Sequence, residues 1–521
     1  MICSNDLIEK ENLQQKLRSS IQPGAIDVNI MAKVDKTNYA KDGSSLEKEF
    51  SDALSSLRGF ALSDLDSSVV FSAGYNARLY SYIESFDDFY PDLNGYIKKK
   101  IILKVSDFRS AVIQGKILAK KGLWISEFRI ESGLNCGGHA FATTGLLLGP
   151  ILEEFKKTRS SLEQELLSLH SHALDLKGIP APSVFPELRI TVQGGIGTNN
   201  ENNFLLEHYR INGTGWGSPF LLVPEATNVD KETLLLLASA KPDDYYLSNA
   251  SPLGIPFNNF KKSSAEILKQ ERIENNRPGS PCVEKLLVSN TEFTEKPICT
   301  ASRKYQHLKL KELGMKDLPP LEFKKQFKNI TDKICLCVGL SSSALIKNKI
   351  DPKHKLHAVA ICPGPNLAYF SGIFTLKQMV DHIYGKTNIL NSVKRPNIFI
   401  NELRLYVDYL KNEVDLSMDN LNSNKIKYLN AFKSNLLSGI NYYRDLKFNF
   451  ASEIRKIPKL KILSVNGISD GDSTSCLITL THSKISKEIK KDQQEEFKDI
   501  MISQLNRFET IIKNMIIPAT I

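Results

Sequence analysis

The sequence predicts an α/β protein in which parallel strands are covered by helices. Three observations carry that expectation. Short apolar runs alternate with helix-patterned segments over the first half of the chain. Those runs are apolar at nearly every position rather than at every second one, as strands buried on both faces are. Three of the strand ends are glycine-rich, "CGGH", "QGGIGT" and "GTGWGS", and turns of that kind feed the helices of α/β folds.

Taken in order, the strand candidates are "AIDVNIM" (25–31), "VVFS" (69–72), "IILKV" (101–105), "WISEFRIE" (124–131), "LRITV" (188–192) and "TGWG" (214–217). Helical patterns lie between them, including 46–57, 108–119 and 149–169. A second stretch, about 261–385, contains five cysteines and two more strand candidates, "KICLCVGL" and "LHAVAICPG". From about 386 onward the pattern is largely helical, with "FINELRLYVDYLKNEV" showing an amphipathic period. The expected domains are therefore 1–260, 261–385 and 386–521.

Bulk properties narrow the function. A chain of 521 residues has length for two or three domains and a substantial core. Hydrophobic residues at 41% and charged residues at 24% suit a globular protein. The net charge of +10 comes largely from scattered lysines, such as Lys98 to Lys100 and Lys484 to Lys491. A diffuse excess of this kind predicts a solvated surface and no nucleic-acid partner. The opening lacks an apolar signal core and no run reaches membrane-spanning length, so no membrane partner is expected and the chain reads as cytoplasmic. Eight cysteines there read as free thiols or ligands, not disulfides.

The glycine turns carry the chemistry. "LRITVQGGIGTNN" runs from a strand into Gly194, Gly195 and Gly197, and "NGTGWGSPF" places Gly215, Gly217 and Ser218 at the next strand end. Exposed amides and a helix dipole at such turns suit a phosphate. Ordinary tight turns would look the same, and only the paired spacing favours a site. The third turn, "CGGHAF", sets His139 against Gly137 and Gly138. Its imidazole is suited to moving a proton near neutral pH, or to capping the helix that follows.

These ordered turns resemble the nitronate monooxygenase group of flavin enzymes and the related trans-acting enoyl reductases of polyunsaturated fatty acid synthases. That group has an Ala/Ser-Gly-Gly-His strand end, a later Gly-Gly-Ile, and then Gly-Thr-Arg-Phe. "CGGHAF", "VQGGIGT" and "GWGSPF" match them in order, while "KIILKVSDFRSA" and "AIDVNIM" resemble its lysine- and asparagine-bearing strands. The resemblance spans roughly residues 5–260. It implies a (β/α)₈ barrel lacking its first two strands, because the six strands align with the third to eighth of the family. It implies FMN held by Asn29, Lys104, Gly137, Gly195, Trp216, Gly217 and Ser218, the last four receiving the phosphate. It implies His139 as the catalytic residue, taking a proton from a carbon acid, or giving one opposite a hydride in an NAD(P)H-dependent enoyl reductase. A non-catalytic FMN- or phosphate-binding module, and a purely structural protein whose glycine turns are relics, remain as alternatives. Ser132 stands where many monooxygenases have glutamine, and Pro219 replaces the arginine of Gly-Thr-Arg-Phe.

"DDYYLSNASPLGIPFNNF" resembles the family's post-barrel segment, where Ser251, Pro252, Gly254 and Pro256 would form a rigid loop over the site. A plain linker is the alternative. Cys282, Cys299, Cys335, Cys337 and Cys362 could as soft ligands hold zinc or an iron–sulfur cluster, but they fit no compact ligand spacing, and packing accounts for Cys335 and Cys337 on one strand. No metal is assigned. A small-molecule substrate is expected, and the sequence fixes neither its identity nor the oligomeric state.

Overall fold

A computed structural model of the chain describes residues 7–21, 24–30, 35–71, 74–351, 357–417, 422–453, 501–515 and 517. Strands β1 (Val28–Ile30), β2 (Ser67–Phe71), β3 (Lys99–Val105), β4 (Ile125–Glu131), β5 (Arg189–Gln193) and β6 (Gly213–Gly215) form one sheet in chain order. Pairing is parallel, with Val28 opposite Val69, Val69 opposite Ile101, and Thr191 opposite Gly213. Helices α1 (Leu7–Ser20), α2 (Asp52–Ala61), α3 (Ala77–Ile83), α4 (Phe108–Ala119), α5 (Leu148–Leu176) and α6 (Asn199–His208) alternate with these strands. All six expected strands are found, with Met31 and Ser72 outside the described residues.

After α7 (Lys231–Ala238), β7 (Tyr245–Ser248) and β8 (Phe257–Phe260) make a separate antiparallel pair. The remaining elements are helical: α8 (Ser264–Glu274), α9 (Arg303–Gly314), α10 (Pro320–Thr331), α11 (Leu336–Lys347), α12 (Leu376–Ile383), α13 (Ile398–Ser417) and α14 (Ser423–Glu453). Two expected strands are therefore corrected. "KICLCVGL" enters α11, with Cys335 at its N-cap. The described part of "LHAVAICPG" joins no sheet, and its Ala360 amide bonds instead to Gly339 O at 2.9 Å. The helical C-terminal pattern is present in α13, α14 and 501–514, and Lys484 to Lys491 lie outside the described residues. Among the described residues, no helix is long and apolar enough to cross a membrane.

The chain divides into two compact units. The first comprises Met1–Val105, Arg109–Arg129 and Ser160–Ile190. Every residue of β2 is buried, which is why Val69 to Phe71 are apolar on both faces. Ser51 caps α2 by accepting from the Leu54 amide at 3.4 Å, and Asn76 caps α3 through Leu79 at 3.1 Å. Lys99 departs from the expected solvated surface, because strand alternation turns it inward. Wholly buried, it donates to Ser63 O and Oγ at 2.9 Å and to Leu65 O, and its ammonium sits 4.7 Å from the Phe60 ring centroid.

The second unit comprises Ser106–Phe108, Ile130–Arg159 and Thr191–Ile521. One of its cores gathers Leu222, Val223, Leu237, Phe260, Leu367, Phe370 and Met379. Another gathers Ala250, Phe257, Ile334, Leu336 and Ala360. Burial of these side chains stabilises by roughly 25 cal/mol per Å² of apolar surface removed from water, and it fixes the loops described next.

Candidate functional site

The turns after β4 and β5 pack directly on each other within the second unit. Gly194 and Gly195 have φ of +105° and +81°, which side-chain-bearing residues rarely adopt. A Cβ on Gly195 would stand 2.7 Å from the Asn135 side chain. The "QGGIG" turn thus needs glycine for backbone and packing reasons alone.

His139 is held by an added pairing to β8. The Ala140 amide donates to Pro256 O at 2.8 Å and the Asn258 amide to Gly138 O at 2.9 Å. Asn258 Nδ2 also donates to Cys136 O at 2.6 Å. Between these ties the half-buried imidazole meets the Phe257 ring edge-to-face at 5.1 Å. Its Nε2 lies 2.7 Å from the oxygen of Ser251, a wholly buried residue. Ser251 Oγ also accepts from the Leu253 amide at 3.2 Å. A hydroxyl can donate to a neutral imidazole or accept from a protonated one, so this partner suits both states of a proton carrier.

One segment, 362–366, touches all three glycine turns. Gly138 donates its amide to Cys362 O at 3.0 Å, Gly364 donates to Ser218 Oγ at 2.7 Å, and Asn366 Nδ2 donates to Ile196 O at 2.9 Å. A Cβ on Gly137 would meet Cys362 O at 2.5 Å. Burial pushes the Cys362 thiol up to about 11, so it stays protonated near neutral pH.

The phosphate assignment can now be tested residue by residue. The Gly197 amide, at the N-terminal turn of α6, already donates to Glu201 Oε2 at 2.9 Å. Glu201 Oε1 accepts from the Ile398 amide at 2.8 Å and from Arg395 Nη1 at 2.7 Å. Arg395 in turn donates from Nη2 to Gly195 O at 2.5 Å and from Nε to Asn366 Oδ1 at 2.6 Å. The anion that a helix N-terminus favours is thus supplied by the protein itself. A phosphate placed on this turn would face a buried carboxylate, and the Gly195 half of the cradle does not fit FMN. The Gly217 half differs: Gly217 is exposed and a Cβ there would meet nothing within 4 Å. Ser218 accepts from Gly364 yet keeps its own proton to donate. Trp216 is a wall of the core, its indole 6.0 Å from His382 and hydrogen-bonded to Thr214 Oγ1 at 3.3 Å.

Gly137 and Ser218 meet the 362–366 segment directly, His139 and Gly217 lie next in the chain to Gly138 and Ser218 that bond to it, and Gly195 accepts from Arg395. Asn29 and Lys104 belong to the first unit, Asn29 exposed opposite Val70 on β2 and Lys104 half-buried on β3. Ser132 has a distinct task in place of the family's glutamine. Its hydroxyl donates to Glu402 Oε1 at 2.6 Å, and the Leu148 amide and Tyr443 hydroxyl donate to Glu402 Oε2 at 2.9 and 3.4 Å. Complete burial pushes this carboxyl up to about 7 despite those bonds. Glu201, Arg395 and Glu402 have no motif around them. The Pro-Gly-Pro of "CPGPN" is a turn signal in the sequence that the strand expectation for "LHAVAICPG" passed over.

No protein-family model matches this chain, and no curated protein matches it.

Proposed function

We propose that this chain is an oxidoreductase of the nitronate monooxygenase-like kind, on a (β/α)₈ framework short of two strands, with His139 moving a proton at a small organic substrate. The observation that carries this reading is the 2.7 Å contact between His139 and Ser251. It joins a strand-end glycine turn to the loop that the resemblance sets over the site. Six parallel strands in chain order and three glycine turns under one segment support the same reading.

His139 would take the proton from a carbon acid, or deliver one opposite a hydride in the enoyl reductase variant. Ser251 would keep the ring oriented through either charge state. The 362–366 segment would limit water at the turns. FMN, when bound in such enzymes, accepts the electron pair that leaves the substrate. The groups of this chain left to meet its phosphate are the Gly217 turn and the Ser218 hydroxyl, and no step is derived through it.

A second reading, a non-catalytic module, is favoured by the Glu201–Arg395 pair that closes the Gly195 turn. One experiment separates the two: the absorption spectrum of the purified full chain, before and after FMN is added. Flavin retention, with bleaching by a nitronate or by NADPH that His139→Ala abolishes, supports the oxidoreductase. FMN that is bound but bleached by neither reductant overturns it in favour of the module, and failure to retain or take up FMN overturns the flavin reading altogether.

A further inference from the structure

One cleft in the second unit gathers positive charge that the fold leaves unmatched. α8 turns Ala265, Leu268, Lys269 and Arg272 toward it, at the spacing of a single helix face. Ser263 caps that helix by accepting from the Glu266 amide at 3.4 Å, and the Ala265 amide donates to Val359 O at 3.1 Å. A second wall is the 279–281 turn. Its Ser280 amide donates to Ala301 O at 2.9 Å, and Ser280 O accepts from the Arg303 amide at 3.0 Å. Gly279 has a φ of +85°, and a Cβ there would stand 2.8 Å from Arg303 N, so this close approach needs glycine. The third wall is the entry to α11, residues 333–335, with Val338 one turn on. The Ile334 amide donates to Ala250 O at 3.0 Å, and the wholly buried Gln306 donates to Lys333 O at 3.2 Å. The walls bound about 480 Å³, open to solvent.

Among the described residues that line the cleft, Lys269, Arg272 and Lys333 are cations and none is a carboxylate. Lys269 is matched, by Glu266 at 2.7 Å and Asp332 at 3.8 Å. Asp332 is itself shared with Lys328 at 2.6 Å. Arg272 and Lys333 are half-buried, and neither forms a salt bridge among the described residues. Arg272 Nη1 donates to Ser280 Oγ at 2.8 Å, which leaves the rest of the guanidinium fork and the serine's own proton to donate. Arg303, bonded through its amide to the same turn, has an Nε buried without a hydrogen-bond partner. Burial lowers Lys333 and Arg272 from their ordinary values, and Arg303 lowers Arg272 further, the sign shown by cations that lack a counter-ion. An exposed basic face would be relieved by water, whereas these two charges are half-withdrawn from it.

We propose that this cleft binds a dianionic phosphate group, free or as the head of a small phosphomonoester. The unmatched charges of Arg272 and Lys333 equal that of a phosphate dianion, whereas a carboxylate would leave one of them uncompensated. Arg272 presents a planar fork suited to two phosphate oxygens, Lys333 a point charge, and Ser280 a hydroxyl proton. Cys335 and Val338 belong to the N-cap and first turn of α11, so the positive end of a 12-residue helix borders the same space. Leu268, Ile334 and Ala358 give the cleft an apolar side for the carbon group of an ester. No residue of the three glycine turns lines it.

The proposal does not rest on the flavin reading, and its test uses the full chain with no FMN added. Inorganic phosphate is titrated calorimetrically at pH 8, with acetate and phenyl phosphate in parallel. Phosphate is expected to bind with a dissociation constant of about 1 mM or tighter, and acetate about tenfold more weakly or worse. Tighter binding of phenyl phosphate identifies an ester as the ligand, and equal or weaker binding identifies the free ion. Arg272→Gln and Lys333→Gln should each weaken phosphate roughly 10–100-fold, the usual worth of a hydrogen bond to a charged group. Lys120→Gln, at an exposed lysine of the first unit, should change nothing. Where Arg272→Gln fails to fold for want of its Ser280 contact, Lys333→Gln carries the test, since that ammonium forms no hydrogen bond among the described residues. Peptide-resolved alkylation adds a local reading: phosphate should slow the reaction of Cys335, in the cleft wall, with iodoacetamide and spare that of Cys136. The proposal is overturned by a wild type that binds no phosphate, by acetate that binds as tightly, or by affinity that Lys333→Gln retains. Equal loss in Lys120→Gln, or shielding of Cys136 in place of Cys335, overturns it too.

Discussion

Arg395 Nη1 and Glu201 Oε1 lie 2.7 Å apart with both side chains only 6% exposed, at the turn that the sequence assigned to a phosphate. Removing one partner of such a pair strands the other charge in a poorly solvated place. Arg395→Ala is therefore expected to cost about 3–5 kcal/mol in urea unfolding of the full chain. Replacing both residues by methionine should cost much less, because neither charge is then left behind. Equal losses in the single and double variants would show that the pair is solvated in solution.

The two halves of the glycine cradle should answer differently to substitution. Gly195→Val meets Asn135 at 2.7 Å and has a φ of +81°, so it should lower the urea midpoint whether or not flavin binds. Gly217 has open space at the Cβ position and a φ of −96°. Gly217→Val is expected to leave stability within about 1 kcal/mol while reducing uptake of added FMN. A Gly217→Val chain that takes up FMN as wild type does would remove Gly217 from the binding surface.

These contrasts show what a single sequence conveys. Strands buried on both faces appear as unbroken apolar runs, so β2 and β3 could be read directly. "KICLCVGL" looked the same but begins a helix, because an apolar run has no period to distinguish the two. The helical half that follows hides its buried face behind serines: Ser342 is buried and bonds to Val338 O, and Ser343 bonds to Asp230. His139 and its loop partner were legible through glycine and proline. Arg395 and Glu402 were not, since the partners that place them at the turns are far away in sequence, Glu201 at 194 residues from Arg395 and Ser132 at 270 from Glu402.

His139 and Ser251 should separate on mutation if the histidine moves a proton. His139→Ala removes a half-buried ring from a turn held by backbone pairing to β8, so the fold should survive. Substrate-driven turnover should fall by roughly 10²–10⁴-fold, the usual contribution of a placed acid–base group. Ser251→Ala leaves the ring in place but leaves the Leu253 amide without its acceptor, at about 1–3 kcal/mol of stability. Its activity should fall less than that of His139→Ala. Turnover unchanged in His139→Ala would make the residue structural.

Glu402 gives a pH dependence whose sign follows from its burial. Its carboxyl titrates at about 7 in the folded chain against an ordinary 4.5, so between those values the folded state holds a proton that the unfolded state has released. Stability therefore falls as pH rises through that window, by at most about 1.4 kcal/mol per unit. Above about pH 7 the penalty levels off near 3 kcal/mol in order of magnitude. Below about 4.5 the group contributes no penalty, because both states are protonated. Glu402→Gln keeps an oxygen for the Leu148 amide and removes the titration. Other groups titrate in both proteins alike, so the difference between their urea midpoints at pH 5 and pH 8 isolates this carboxyl. The variant should gain on wild type as pH is raised. Parallel midpoint curves would mean that the charged carboxylate is solvated, and that its Ser132 and Tyr443 partners do not hold it in a dry core.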